Sequence, residues 1–243
     1  MLNNRLNETK IGSAKVIVDI LPKGKVIPDT RITPTSITIH MTGNVGASAK
    51  NNHNYMKNCN KDGSRVASWH FTVDDKEIYQ AQSTNFKCYH AGNATGNNSS
   101  IGIEICMFND KVRQKKAYDN AIALVKILMS YHKFSADKVK RHYDWTKKHC
   151  PAWLIEGKWG YTWAWFKAQL TAVPKPTVNS FTVKIICDSL NIRSGPSTSY
   201  PVVGAVQEGQ VFTIVETANY NTWGKLKSGA GWINISSKYV KRL

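Results

Sequence analysis

Around Pro174 and Pro176 the apolar pattern of the chain changes its period, and no single fold accommodates both halves. Upstream, short β-branched runs alternate with segments whose apolar residues recur every three or four positions. Tyr118, Ala121, Ile122, Val125, Leu128, Met129 and His132 form the clearest stripe and predict an amphipathic helix over 116–133. Downstream come short β-runs at 181–186, 190–193, 201–206, 211–216, 223–226 and 231–235, separated by turn residues. The expected architecture is an α/β domain over 1–171, with a central mixed β-sheet flanked by helices. An extended, proline-containing linker at 172–179 follows, and then a small all-β barrel over 180–243.

Within the first domain, Val16 to Ile20 reads as an edge strand. Ser36-Ile37-Thr38-Ile39-His40 alternates apolar and polar residues and stops at Thr42-Gly43. That puts His40 at a strand's carboxyl end, where α/β sheets bind ligands. Residues 47–58 read as a helix with Ser48 as cap, 66–73 as a strand, and 77–80 as its return across an Asp74-Asp75 turn. Residues 93–100 read as a loop. The strand Ser100 to Cys106 is the most apolar of all, yet it carries Glu104 on the face of Gly102 and Cys106. A carboxylate there costs free energy unless a cation or donor meets it, so Glu104 either forms an ion pair with Lys or Arg or faces a site.

Arg141-His142-Tyr143-Asp144-Trp145-Thr146-Lys147-Lys148-His149-Cys150-Pro151 concentrates metal-ligating side chains. Imidazole and thiolate suit zinc. No single helix face repeats at the spacing of His142 and Cys150, so the pair is expected on a loop. With His40 they make three protein ligands, a number that leaves a fourth position open for chemistry. Glu104 could then move the proton of an attacking water, and Lys148 could either stabilise an oxyanion or be a solvated lysine. His53, on an apparently polar helix face, His132, at a helix end, and His149, pointing away from its neighbour Cys150, fit these roles less well. His70 and His90 compete for them or line the cleft as substrate contacts.

Charge narrows the partners. The net charge is +17, divided as +12 over residues 1–171 and +5 beyond. Basic charge in both parts suits an anionic polymer, either nucleic acid or a cell wall, unless it serves solubility alone. Five cysteines in no regular spacing argue against a disulfide framework. No run approaches the roughly 20 apolar residues of a membrane span. Met1 to Lys10 lack the apolar core of a signal peptide, so the expectation is a chain that stays in the cytoplasm or leaves by a route other than a cleaved signal.

Four segments occur in order: Ile37 to Gly43, Ser68-Trp69-His70-Phe71, Ser100 to Cys106, and Arg141 to Trp145 continuing through Cys150-Pro151. Together they resemble the zinc-dependent N-acetylmuramoyl-L-alanine amidases of type 2, relatives of peptidoglycan recognition proteins, over roughly residues 10–170. The resemblance implies one zinc ion on His40, His142 and Cys150, with Glu104 at the catalytic glutamate position. Lys148 matches a lysine that some phage members use near the metal. Certain members carry tyrosine before the His-Phe pair where this chain has Trp69, which moves the proton chemistry onto Glu104. Leu190 to Ser197 and Gly231-Trp232-Ile233 resemble a bacterial SH3-type domain, in which Tyr200, Tyr220, Trp223 and Trp232 are either wall contacts or barrel core. The implied function is that of a monomeric, endolysin-like peptidoglycan hydrolase of Gram-positive walls, held in the host cytoplasm until lysis and acting afterwards on the wall, with no nucleic-acid or membrane partner. A bacterial autolysin and a non-catalytic recognition protein are the alternatives.

Overall fold

The computed structural model describes residues 10–171, 180–218 and 222–243. The linker expected at 172–179 and Tyr220 lie outside the described residues. The chain divides into two compact units between Thr171 and Ala172.

The first unit is built on a seven-stranded mixed sheet. Its strands are β1 (Lys10–Ile11), β2 (Ala14–Val18), β3 (Ser36–Val45), β4 (Phe71–Val73), β5 (Glu77–Gln80), β6 (Ser100–Met107) and β7 (Val139–Arg141). They lie in the order β1-β2-β5-β4-β6-β3-β7. β3 pairs parallel with both β6 and β7, and β4 pairs parallel with β6. The hairpin read from Asp74-Asp75 is present as the antiparallel β4–β5 pair. The helices are α1 (Ala49–Asp62), α2 (Ala94–Ser99), α3 (Lys111–His132), α4 (His142–Thr146), α5 (Ala152–Glu156) and α6 (Trp163–Thr171).

Strand alternation decides what faces the site. Ile101, Ile103 and Ile105 of β6, with Ile37 and Ile39 of β3, join Ala117, Tyr118, Ala121, Leu124 and Leu128 of α3 in one core cluster. Gly102 and Glu104, and with them Thr38 and His40, therefore turn to the opposite face. Burying five isoleucines against α3 contributes roughly 10 kcal/mol of hydrophobic stabilisation before entropy is counted.

Several boundaries differ from the sequence reading. α3 begins at Lys111 because Asp110 caps it, its carboxylate accepting from Arg113 N at 2.8 Å. β2 is no edge, since β1 folds back and pairs with it on its outer side. β3 runs on to Val45, so His40 sits inside a strand rather than at its end. The strand expected over 66–73 is confined to Phe71–Val73. The loop expected at 93–100 holds the short α2, because Asn93 caps it and accepts from Gly96 N at 2.7 Å. Ser48 caps α1 as read, and Gly63 ends it at φ 73°. Among the described residues no helix is long and apolar enough to cross a membrane, and all five cysteines are free.

The second unit is all antiparallel: β8 (Phe181–Ile185), β9 (Ser189–Arg193), β10 (Val202–Gln207), β11 (Val211–Ala218), β12 (Trp223–Leu226), β13 (Trp232–Asn234) and β14 (Val240–Arg242). Their order is β10-β9-β13-β12-β11-β8-β14. Alternate residues, among them Val183, Ile185, Leu190, Ile192, Ile214 and Val240, form its core. Register shifts in β10 and β11 bend those strands around it.

Candidate metal centre

Three side chains meet beside the His40–Glu104 pair of the β3–β6 ladder. One ligand atom each from His40, His142 and Cys150 lie within 4.8 Å of one another. His40 comes from β3 and is 1% exposed. His142 is the first residue of α4, so the spacing read as a loop is a short helix start followed by a turn. Asp144 fixes that start by accepting from Arg141 N at 2.8 Å and from its guanidinium at 2.6 Å. Tyr143 N then donates to Cys150 O at 2.9 Å, which draws the second ligand of the segment back beside the first. Cys150 Sγ lies 3.8 Å from His40 Nδ1, and the His40 and His142 rings meet edge to face at 4.7 Å.

The donor set fits a metal cation. His142 Nδ1 is buried with no hydrogen-bond partner among the described residues, which leaves it free to meet a cation. Burial, helped by the Lys148 charge, holds His142 down to about 4. Burial and the neighbouring His90 and His142 rings hold His40 far below the usual histidine range. Both rings are therefore neutral near pH 7, each with one nitrogen lone pair free of a proton, as ligands must be. Burial pushes the Cys150 thiol up to about 12, so a thiolate there needs a cation beside it.

Glu104 stands next to this group. It is the Cα partner of His40 in the parallel ladder and of Thr72 on the other side, so its side chain shares their face. Its Oε2 is buried, with no hydrogen-bond partner among the described residues. Burial pushes its carboxyl up to about 7 against the pull of Lys148 and Arg65. Among the described residues, the ion pair considered for it from sequence does not form.

Lys148, Trp69, His90 and Glu104 line a cleft of about 340 Å³ with the three candidate ligands. The Trp69 ring forms part of its wall, while its indole N–H donates to Thr72 Oγ1 at 2.6 Å. His70 does not reach the cleft. It is fully buried, with Nε2 donating to Phe86 O at 2.8 Å and Nδ1 accepting from Gly102 N at 2.9 Å. His53, read as lying on a polar face, is also buried and binds Asp19 at 2.8 Å. His149 turns outward to Glu156.

The sequence profile described as N-acetylmuramoyl-L-alanine amidase matches residues 30–153, which is about half of the chain. The chain belongs to this family. Its amidase domain is 43% identical over 158 residues to the N-acetylmuramoyl-L-alanine amidase XlyA of Bacillus subtilis (strain 168), covering 63% of this chain and 50% of XlyA. It is 37% identical over 175 residues to CwlA of the same organism, covering 70% of this chain and 62% of CwlA. The chain thus spans about half to three fifths of the length of these curated relatives. The solved catalytic domain of XlyA superposes with a TM-score of 0.57 at 42% identity, covering 64% of this chain and 98% of that domain. A bacterial SH3 domain profile matches residues 188–241.

In this amidase-family cleft the structure adds residues that the sequence reading passed over: Asn44, Asn52, Tyr55, Arg65 and Tyr89. No periodicity marks Arg65, because it lies on the irregular crossing between α1 and β4. In the SH3 unit, Trp223 and Trp232 are 7% and 8% exposed, so both rings are largely packed into the domain. Tyr200 is 46% exposed, with its ring resting on Gly195.

Proposed function

We propose that the chain is a peptidoglycan hydrolase that cleaves the amide between N-acetylmuramic acid and L-alanine, with zinc held by His40, His142 and Cys150. The observation that carries this reading is the in-register pairing of His40 with Glu104, which sets a basic carboxylate beside the candidate ligands at the floor of an open cleft. Two imidazoles and one thiolate match the soft-to-borderline preference of zinc. Zinc bound there supplies Lewis acidity, which makes a water nucleophile available near neutral pH.

The remaining chemistry belongs to the chain. Glu104 Oε2 accepts the proton of the attacking water and passes it to the departing L-alanine nitrogen. A carboxyl titrating near neutrality suits both halves of that task. Lys148 Nζ brings positive charge to the cleft, where it stabilises the negative charge that develops on the carbonyl oxygen. Trp69 walls the site, and its engaged N–H leaves the apolar ring to exclude water. Arg65 gives the cleft a second cation, suited to the carboxylates of a stem peptide.

The SH3 unit would hold the enzyme on the wall while the amidase unit works. The bacterial SH3 match and the net positive charge of residues 172–243 support this, with anionic wall polymers as the second partner. Digestion of purified Gram-positive walls tests the reaction. The reading requires new N-terminal alanine without new reducing ends, abolished by a chelator and restored by zinc. Reducing ends alone, or release unaffected by metal removal, would overturn it.

A further inference from the structure

We infer that His90 is a positioning residue for this centre: its ring fixes His40 in the tautomer that presents Nδ1 to His142 and Cys150. The inference rests on the reading that these three residues hold a metal, and it begins from a chain of hydrogen bonds. His90 Nε2 lies 3.1 Å from the Ser100 carbonyl, and a carbonyl only accepts. The His90 hydrogen therefore sits on Nε2, which leaves a lone pair on Nδ1. That lone pair lies 3.0 Å from His40 Nε2. The contact is favourable only when His40 Nε2 carries its hydrogen, so His40 Nδ1 keeps the lone pair that faces Cys150 Sγ. The opposite direction would require a His90 cation, buried edge-on between the His40 and His70 rings at 5.2 and 5.9 Å. Among the described residues the ring nitrogens bond to His40 and the Ser100 carbonyl and to no carboxylate or thiolate, so such a cation is unfavourable.

The surrounding chain is built to hold His90 where this works. Asn97 Oδ1 accepts from both His90 N and Ala91 N, at 2.9 and 2.7 Å. The acceptor side is equally fixed: Trp145 Nε1 donates to Thr38 Oγ1, Thr38 Oγ1 to Ser100 Oγ, and Ser100 Oγ to Gly96 O, at 2.9, 2.8 and 2.7 Å. Gly102 supplies the space, because a Cβ there would lie 2.6 Å from His90 Cγ. Asn93 ties the same loop to α4, its amide donating to Trp145 O at 3.1 Å. One short segment thereby sets the tautomer of His40 and braces the helix that carries His142. His90, a candidate substrate contact from sequence, acts on this view through His40.

Two measurements on the full chain decide the matter. The first is zinc affinity by competition with a chromophoric chelator, with urea unfolding of the zinc-free forms as the folding control. His90→Phe keeps the ring volume but cannot accept a hydrogen bond, and it should weaken zinc binding about 10–100-fold. His90→Gln, whose amide can accept from His40 and donate to Ser100, should recover most of that loss. Folded variants that bind zinc within about twofold of the parent, against the expected 10–100-fold, would overturn the inference. The second is nitrogen-detected NMR of the zinc-free parent chain, which needs no variant. It should show hydrogen on Nε2 of both His40 and His90, and a His40 hydrogen on Nδ1 would overturn the inference. If the parent bound no zinc, the metal reading would fail, and the tautomer measurement would still decide the role of His90.

Discussion

Replacing Glu104 by glutamine should make the zinc-free protein more stable and the enzyme far slower. The Glu104 carboxyl titrates near 4.5 when unfolded and is pushed to about 7 in the folded chain, chiefly by burial. The folded state therefore holds that proton more tightly. The stability it contributes is complete below pH 4.5 and is lost as pH rises through 7. A shift of that size corresponds to about 3 kcal/mol, an upper figure because the carboxyl still touches solvent. Glu104→Gln keeps the shape and removes the titration. In urea unfolding with chelator present, the variant should equal the parent near pH 4.5 and exceed it by up to about 3 kcal/mol at pH 8. Turnover of a soluble muramoyl-peptide should fall about 10²–10⁴-fold, the usual worth of a positioned acid–base group and about 3–5 kcal/mol of barrier. Zinc content should stay at the parental level, since Glu104 is not among the candidate ligands. Near-parental turnover, or a variant whose stability still declines between pH 5 and 8, would refute the assignment.

Other perturbations test the frame around the site. Burial holds His70 down to about 4, so its contribution to stability is present above about pH 6.5 and fades as pH falls towards 4. NMR should show a neutral His70 ring at pH 5.5, and protonation there would contradict the packing described. Asp75, with its side chain 6% exposed, takes two bonds of 3.0 Å from Arg113. Arg113→Ala should cost about 3 kcal/mol in urea unfolding by stranding that carboxylate, and a loss under about 1 kcal/mol would show the pair to be solvated. Arg65 has no ion pair among the described residues although it lines the cleft. Arg65→Gln should raise KM for peptide-bearing substrates about tenfold, with kcat nearly unchanged and a weaker salt dependence. An unchanged KM would remove Arg65 from substrate binding.

The sequence made the chemistry legible before the geometry. His40, Glu104, His142 and Cys150 stand out because each is a polar or ligating residue in a context that does not otherwise call for it. Their adjacency could not be read, because β3 and β6 pair in parallel across a long crossover and no local pattern reports such pairing. The misread helical segments share one cause. α2 and the first turn of α3 carry almost no apolar residues and owe their form to the Asn93 and Asp110 caps. α1 is largely polar, yet beside Met56 and Cys59 it buries His53 and Asn60, because Asp19 and the backbone of Val26 and Ile27 meet them. Hydrophobic periodicity is blind to polar groups that are buried by being bonded. The same blindness hid the roles of His70 and His90, whose partners are backbone atoms and another imidazole.

The parallel β3–β6 ladder has a consequence for how the protein comes into being. Cys150 and His40 are 110 residues apart in the chain, so no early fragment offers a metal more than one of the pair. A slip of one residue between β3 and β6 would turn His40 and Glu104 to opposite faces. On the proposed reading, metal capture would follow the register of the central strands and would reward only the correct one. A newly made chain would stay chemically silent until its last ligand had emerged and its sheet had closed in frame. On that same reading, hydrolytic activity therefore waits for nearly the whole of the unit that ends at Thr171.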